Sequence, residues 1–335
     1  METDSKINYC NVDSNCITQP FGLKYQYYGH WKNNPVGKYF FILHFRDRED
    51  IPFMIDEAKQ NDNVFLILHD TFEGYARRRF KKIHNFVEMH DLKGKVYFAS
   101  SLLSTAEEHE NWCKKAKCEK LFEAFYYPEW YHIVDNNLKD YQLSKFKYNK
   151  EKYFCCLNNR HHMHRINFVD NLIENGLIDK GLVSSNYHGL DVDGLYNTEH
   201  RGSRPQNYNP QIYDKCLINV VTETFYDKVW NVTGNIFFSE KTWKPIVCKQ
   251  AFILVGPRYS LKYLKELGFK TFDSLWDESY DEADHTKRLY MAANTLYNVL
   301  DTYSLEELNR ATKKIRMHNF KHFTTIREHM TKTCT

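Results

Sequence analysis

From Lys38 onward the chain alternates short aromatic and β-branched runs with longer segments that mix polar and apolar residues, which leaves few folds open to it. Such alternation is the signature of repeated strand–helix–strand units and of a parallel sheet. It predicts strands over Tyr39 to Phe45, Val64 to Leu68, Val96 to Ser100 and Leu121 to Phe125. Helices are expected over Asp50 to Gln60, over Gly74 to His90 and from Ser104. Parallel strands are covered on both faces by their crossover helices and need no polar alternation, and Val64-Phe65-Leu66-Ile67-Leu68 has none. Before about Pro35 no period emerges, and Tyr25-Gln26-Tyr27-Tyr28, between the turn formers Gly22 and Gly29, assigns no function.

A chain of 335 residues is more than one core usually holds, so two domains are expected. The stretch from Tyr127 to Lys150 is rich in Tyr, Asn and Lys without a sustained period, which places the junction there and gives domains of 1–145 and 146–335. The second domain opens with a strand, Lys152 to Leu157. It runs through Asn158-Asn159-Arg160 into a helix whose Ile166, Phe168, Val169, Leu172 and Ile173 recur at helical spacing. Arg160 and Arg165 thus lie at or near a strand-to-helix turn, where open α/β sheets bind ligands and where a guanidinium fork suits phosphate oxygens. A further strand, Cys216 to Glu223, ends in an acid. Ile236-Phe237-Phe238-Ser239-Glu240-Lys241-Thr242-Trp243-Lys244-Pro245 then reads as a helix start with Ser239 as N-cap, followed by the strand Ala251 to Val255 and the turn Gly256-Pro257. Unpaired backbone N–H groups at such a start welcome an anion. Glu240 and Lys241 point about 100° apart, so they can serve different parts of one ligand, and Lys244 returns to the Glu240 side. Pro245 gives no N–H to the carbonyl of Lys241, so the helix is kinked there or begins later. A capped helix with a solvated Glu–Lys pair is the plain alternative. Beyond it, helices are expected from Ser260 to a close at Gly268, over Tyr290 to Leu300 and over Leu305 to Phe323.

The Glu-Lys pair after an apolar-Ser step, then a Pro-containing helix and a short strand ending in Gly-Pro, resembles the nucleotide-sugar-binding segment of α1,3-fucosyltransferase-like glycosyltransferases. The resemblance covers mainly residues 152 to 280. It implies the GT-B fold: an α/β protein with two Rossmann-like domains whose parallel sheets face a cleft, the first on the acceptor side and the second holding the donor. By the same resemblance Glu240 holds the donor ribose, Lys241 the diphosphate, and Arg165, rather than Arg160, a further diphosphate contact. Glu223 resembles the strand-end Glu of a second family block that lines the donor pocket. The Asn and Ser that follow it in the family are here Thr224 and Phe225, so a solvated strand-end Glu is the competing reading.

An inverting transfer needs a base for the acceptor hydroxyl. Asp70, after the Val64 to Leu68 strand, is preferred over Glu73, with an N-cap role for Asp70 as the competing assignment. No cofactor is expected beyond the nucleotide-sugar donor, and no metal is required, because Lys241, Arg165 and a helix start can neutralise a diphosphate leaving group. His161, His162 and His164 near Cys155 and Cys156 lack a second pair at finger-like spacing, and Asp191-Val192-Asp193-Gly194 does not continue as a calcium loop. A glycan or other small hydroxyl acceptor is expected. The rivals are a glycosyltransferase acting on a hydroxymethylated DNA base, which would use the cluster Arg77-Arg78-Arg79 with Lys81-Lys82, and a non-catalytic binding module. A net charge of +3 is small for a nucleic-acid binder. No apolar run approaches the roughly 20 residues of a membrane span and the start lacks a signal pattern, so a cytoplasmic protein is expected. Nine cysteines, an odd count, argue for reduced and buried thiols.

Overall fold

The computed structural model describes residues 8–10, 24–25, 39–44, 51–70, 76–136, 138, 143–192, 210–226 and 236–326. The chain divides into two compact units, one of Met1–Glu129 with Glu328–Thr335 and one of Trp130–Arg327. The division falls within the Tyr127 to Lys150 stretch but ahead of residue 145, because the helix that begins at Glu129 packs with the second unit. There Tyr131 is fully buried and its hydroxyl donates to the carbonyl of Phe323 at 2.8 Å.

The first unit holds β1 (Asn8–Cys10), β2 (Lys24–Tyr25), β3 (Tyr39–His44), α1 (Ile51–Gln60), β4 (Val64–Asp70), α2 (Ala76–Met89), β5 (Val96–Ser100), α3 (Thr105–Ala116) and β6 (Glu123–Tyr126). Its sheet runs β2-β1-β3-β4-β5-β6 with every pairing parallel. The two strands ahead of β3 had no sequence signal. Central strand β4 is buried almost throughout, as an apolar run between two helical layers requires.

After α4 (Glu129–Asn136), the second unit holds β7 (Lys152–Asn158), α5 (Met163–Glu174), β8 (Gly181–Ser185), α6 (Pro210–Lys215), β9 (Cys216–Thr222), α7 (Glu240–Val247), β10 (Ala251–Val255), α8 (Ser260–Glu266), α9 (His285–Thr302) and α10 (Leu305–Thr325). Its sheet, β10-β9-β7-β8, is also parallel, and every residue of β9 and β10 is buried. Two Rossmann-like units thus follow one another, the organisation expected of a GT-B-like α/β chain. Gly268 ends α8 at φ +88°, and a Cβ there would lie 2.7 Å from the His322 ring, so both backbone conformation and space call for glycine. The described cysteines are free, and all but Cys118 are buried. Among the described residues no helix is long and apolar enough to cross a membrane.

Candidate functional site

At the carboxyl end of β9 the chain builds a helix start. Ser239 adopts the extended conformation of an N-cap, and its Oγ accepts from the Lys241 backbone N–H at 3.3 Å. The helix begins at Glu240 and runs on through Pro245. Trp243, 1% exposed, fixes it from beneath, with ring centroids 5.5 Å from Tyr131, 5.5 Å from Phe238 and 5.8 Å from Phe269. Burying an indole in such a cage stabilises the helix by several kcal/mol, since truncating a core Trp typically costs about 3–5.

Glu223 ties this helix start to the strand end. Its carboxylate is 0% exposed: Oε1 accepts from Ser239 N at 3.0 Å and Thr242 Oγ1 at 2.7 Å, and Oε2 accepts from Thr224 N at 2.9 Å and Ser239 Oγ at 2.7 Å. With four donors on two oxygens it neither faces solvent nor presents a carboxylate to a ligand. The expected pocket-lining Glu223 is a buried clamp, because helix-start donors within reach of the strand end take up its lone pairs.

Glu240 and Lys241 pair with each other, Nζ to Oε1 at 2.9 Å, with side-chain exposures of 16% and 30%. The Lys241 ammonium also donates to Ser239 Oγ at 3.2 Å and Thr224 Oγ1 at 3.4 Å. Burial alone would raise the Glu240 pKa. The Lys241 and Lys244 ammoniums and hydrogen bonding outweigh it and hold the carboxyl down at about 2. Lys244 is 8% exposed; burial lowers its pKa against the opposing pull of Glu240, whose side it shares as the helical spacing predicts. Arg165 is 4% exposed and directs Nη2 at the carbonyls of Thr222 and Glu223, 3.1 and 3.2 Å away. Its first engagement is therefore with the carbonyls at the carboxyl end of β9. Burial lowers its pKa, with Glu223 and Glu240 opposing the shift.

Beside this cluster lies a pocket of about 290 Å³ lined by His162, His164, Asn167, Thr224, Tyr226 and His285, among others. It opens where α5, the turn after β9 and α9 begin, which is the ligand crevice of an open parallel sheet. The His164 ring stacks on Tyr226 at 5.0 Å, and its Nε2 lies 2.9 Å from the Glu223 carbonyl. Burial drives the His164 pKa down to about 3. That of His162 is lowered by burial and then by the nearby cations Arg165, Arg160 and Lys241, and its Nε2 is buried with no hydrogen-bond partner among the described residues. Thr224 joins the pocket wall to Lys241. His162, Asn167 and Thr224 were not singled out as binding residues from sequence. Their signal is positional, each falling in the first turns after β7 or β9.

In the first unit Asp70 ends β4 at 1% exposure, and its Oδ2 accepts from Arg79 Nε of α2. Its other oxygen, Oδ1, is buried with no hydrogen-bond partner among the described residues. Asp70 does not cap α2, which starts at Ala76. Arg79 is drawn inward by Asp70 while Lys81 and Lys82 are exposed; the side chains of Arg77 and Arg78, the rest of the cluster that a DNA acceptor would use, lie outside the described residues. Glu73 and the second half of the Asp191 to Gly194 turn lie outside the described residues. Among the described residues the only group of metal-ligating side chains is His84, His109 and Cys113, which includes none of the histidines or cysteines weighed for a metal from the sequence.

No family model matches the chain, and no curated protein matches it. Among solved structures it is similar to a chain of the crystal structure of the GtfA/B complex, at 11% identity and a TM-score of 0.37, over 88% of this chain and 57% of that one.

Proposed function

We propose that the protein is a glycosyltransferase that binds a nucleotide-sugar at the carboxyl end of the second unit's sheet. The observation that carries this reading is the Ser239-capped start of α7, which sets the Lys241 ammonium one hydrogen bond from the pocket wall at Thr224, with Arg160, Arg165 and His162 nearby. A helix start with convergent cations suits a diphosphate, and the likeness of this segment to α1,3-fucosyltransferase-like enzymes points to the same ligand. In that scheme Lys241 takes the diphosphate and Glu240 the ribose, with Lys244 holding Glu240 ionised from beneath. Arg165 positions the strand end, and Glu223 positions the helix.

The transfer joins an acceptor oxygen to the anomeric carbon as the bond from that carbon to the diphosphate oxygen breaks. The bonding pair leaves with the diphosphate, where Lys241 and the helix start stabilise the developing charge. The acceptor's proton passes to a base, for which Asp70 with its unpartnered Oδ1 is the first unit's candidate. A glycan or other small hydroxyl compound is the favoured acceptor, with Arg79 turned away from the surface a DNA acceptor would need.

The test is calorimetry of the full chain against a panel of nucleoside diphosphates, with Lys241→Ala as the control. One base should bind, and the variant should weaken it about 10- to 100-fold, the worth of one or two hydrogen bonds to a charged group. Absence of heat with every nucleotide, or unchanged affinity in the variant, refutes the reading.

A further inference from the structure

In the first unit three side chains from two helices aim their metal-binding atoms at one point. His84 Nε2 of α2 lies 3.0 Å from His109 Nε2 of α3, and Cys113 Sγ lies 3.6 and 3.5 Å from the same two nitrogens. His109 and Cys113 are four residues apart, so they share one face of α3. All three are buried, at 4%, 0% and 7% exposure.

The spacing is that of a tetrahedral centre. Bonds of about 2.05 Å to nitrogen and 2.3 Å to sulfur, at tetrahedral angles, separate two nitrogens by roughly 3.4 Å and a nitrogen from a sulfur by roughly 3.6 Å. The surroundings are aromatic: the His109 ring stacks on Phe122 at 4.0 Å, His84 lies 4.6 Å from Trp112, and Phe80 is 4.9 Å from His109. His109 Nδ1 has no hydrogen-bond partner among the described residues, so stacking rather than a second polar shell orients this ring. Without a cation, the cluster packs three polar atoms in an apolar box where a single N–H···N bond and weak sulfur contacts must satisfy them all.

A fourth donor stands close by. Lys117 caps α3 in the left-handed conformation, φ 54°, and turns the chain so that Cys118 comes back to Cys113. The Cys118 N–H donates to the Cys113 carbonyl at 3.2 Å, and its Sγ lies 3.9 Å from the same oxygen. Cys118 is exposed, and to serve as a fourth ligand its thiol would turn from that carbonyl onto the cluster.

We propose that His84, His109, Cys113 and Cys118 form a structural zinc site that clips α2 to α3. Two imidazoles with two thiolates are a donor set that zinc prefers, and four protein ligands beside aromatic neighbours suit a structural rather than a catalytic ion. The site is independent of donor binding in the second unit.

The full chain, stripped of metal by a chelator, is titrated with cobalt(II) and then with zinc(II), and the zinc content of protein purified without chelator is measured by mass spectrometry. One equivalent of cobalt should give a sulfur-to-cobalt charge-transfer band and the intense visible bands of a tetrahedral ion, both bleached by one equivalent of zinc. Cys113→Ser should weaken zinc binding more than roughly 100-fold, beyond the loss typical of an outer-shell partner. Cys118→Ser, at an exposed position, should keep the fold and lose about half the charge-transfer intensity, one thiolate remaining of two. Purified protein essentially free of zinc together with no cobalt band, or a band undiminished in Cys113→Ser, overturns the site. An undiminished band in Cys118→Ser overturns the assignment of the fourth ligand.

Discussion

Glu223→Gln separates a clamp from a ligand contact. The substitution keeps the volume and replaces one acceptor oxygen by an NH₂ donor. Whichever way the amide turns, that donor faces a backbone N–H, Ser239 N if it replaces Oε1 or Thr224 N if it replaces Oε2. The hydroxyl of Thr242, which shares Oε1, can rotate to accept, whereas Ser239 Oγ, which shares Oε2, already accepts from the Lys241 N–H and ammonium, and neither backbone N–H can accept. One buried donor is then left unpaired and two charge-assisted bonds become neutral ones. Together these cost about 2 kcal/mol, within the range for an unsatisfied buried group. Glu223→Ala strips the partner from all four donors and should cost about 3–5 kcal/mol, as for other broken buried networks. For a unit of this size, about 2 kcal/mol lowers the melting temperature by about 4–8 °C. Differential scanning calorimetry of the two variants, alongside nucleotide titration, is the assay. A Gln variant that melts within a degree of the parent while losing nucleotide affinity would refute the clamp and make Glu223 a donor contact.

Asp70→Asn keeps the shape of the carboxyl but weakens the pairing of this buried side chain with Arg79. If Asp70 is the base, transfer should fall by about 100-fold or more while melting shifts little; a shift of several degrees with matched activity per folded molecule would make it purely structural. Stability should fall as pH drops below about 6.5, because the His164 pKa is depressed to about 3 in the folded unit. The unfolded chain then takes up a proton that the folded one refuses, and the loss continues until the pH reaches the folded value. His164→Gln, which keeps an N–H for the Glu223 carbonyl, should flatten that slope in urea melts taken from pH 7 to pH 4, and an unchanged slope would assign it to other groups. Duplex DNA binding, followed by fluorescence anisotropy at rising salt, should be weak with a shallow slope. A loss of several log units of affinity per log unit of salt would restore the DNA reading.

Strands buried on both faces were the most legible part of the fold. Val96–Ser100 and Ala251–Val255 have the bounds expected of them, since an unbroken apolar run between turn formers has one stable use. Strand β8, Gly-Leu-Val-Ser-Ser, carries only two large apolar residues and was not placed, although its pairing with β7 extends from Gly181 to Ser185. Asp70 looked like a helix cap because Asp favours that position; the ion pair with Arg79, nine residues on, leaves no local trace. The cap at Ser239 was readable because capping is local. The partnership of His84 with His109, 25 residues apart on separate helices, was not, since spacing searches find only ligands that sit close along the chain.

The helical wheel predicted that Glu240 and Lys241 diverge, and instead they bond to each other, which bears on how a ligand would enter. An ammonium has three protons, and Glu240, Ser239 and Thr224 occupy all three. On the proposed function, a diphosphate would therefore displace one partner. The Thr224 bond is the longest of the three and the one that faces the pocket, so it is the first to yield. If Lys241 then swung outward, Glu240 would keep the field of the nearby Lys244 ammonium. Glu223 holds Ser239 and Thr242 in place throughout, so the helix start keeps its geometry while one long side chain moves. A site made this way confines reorganisation to rotamers of Lys241, and keeps the ordering penalty of binding to about 1 kcal/mol, the scale for fixing one flexible side chain.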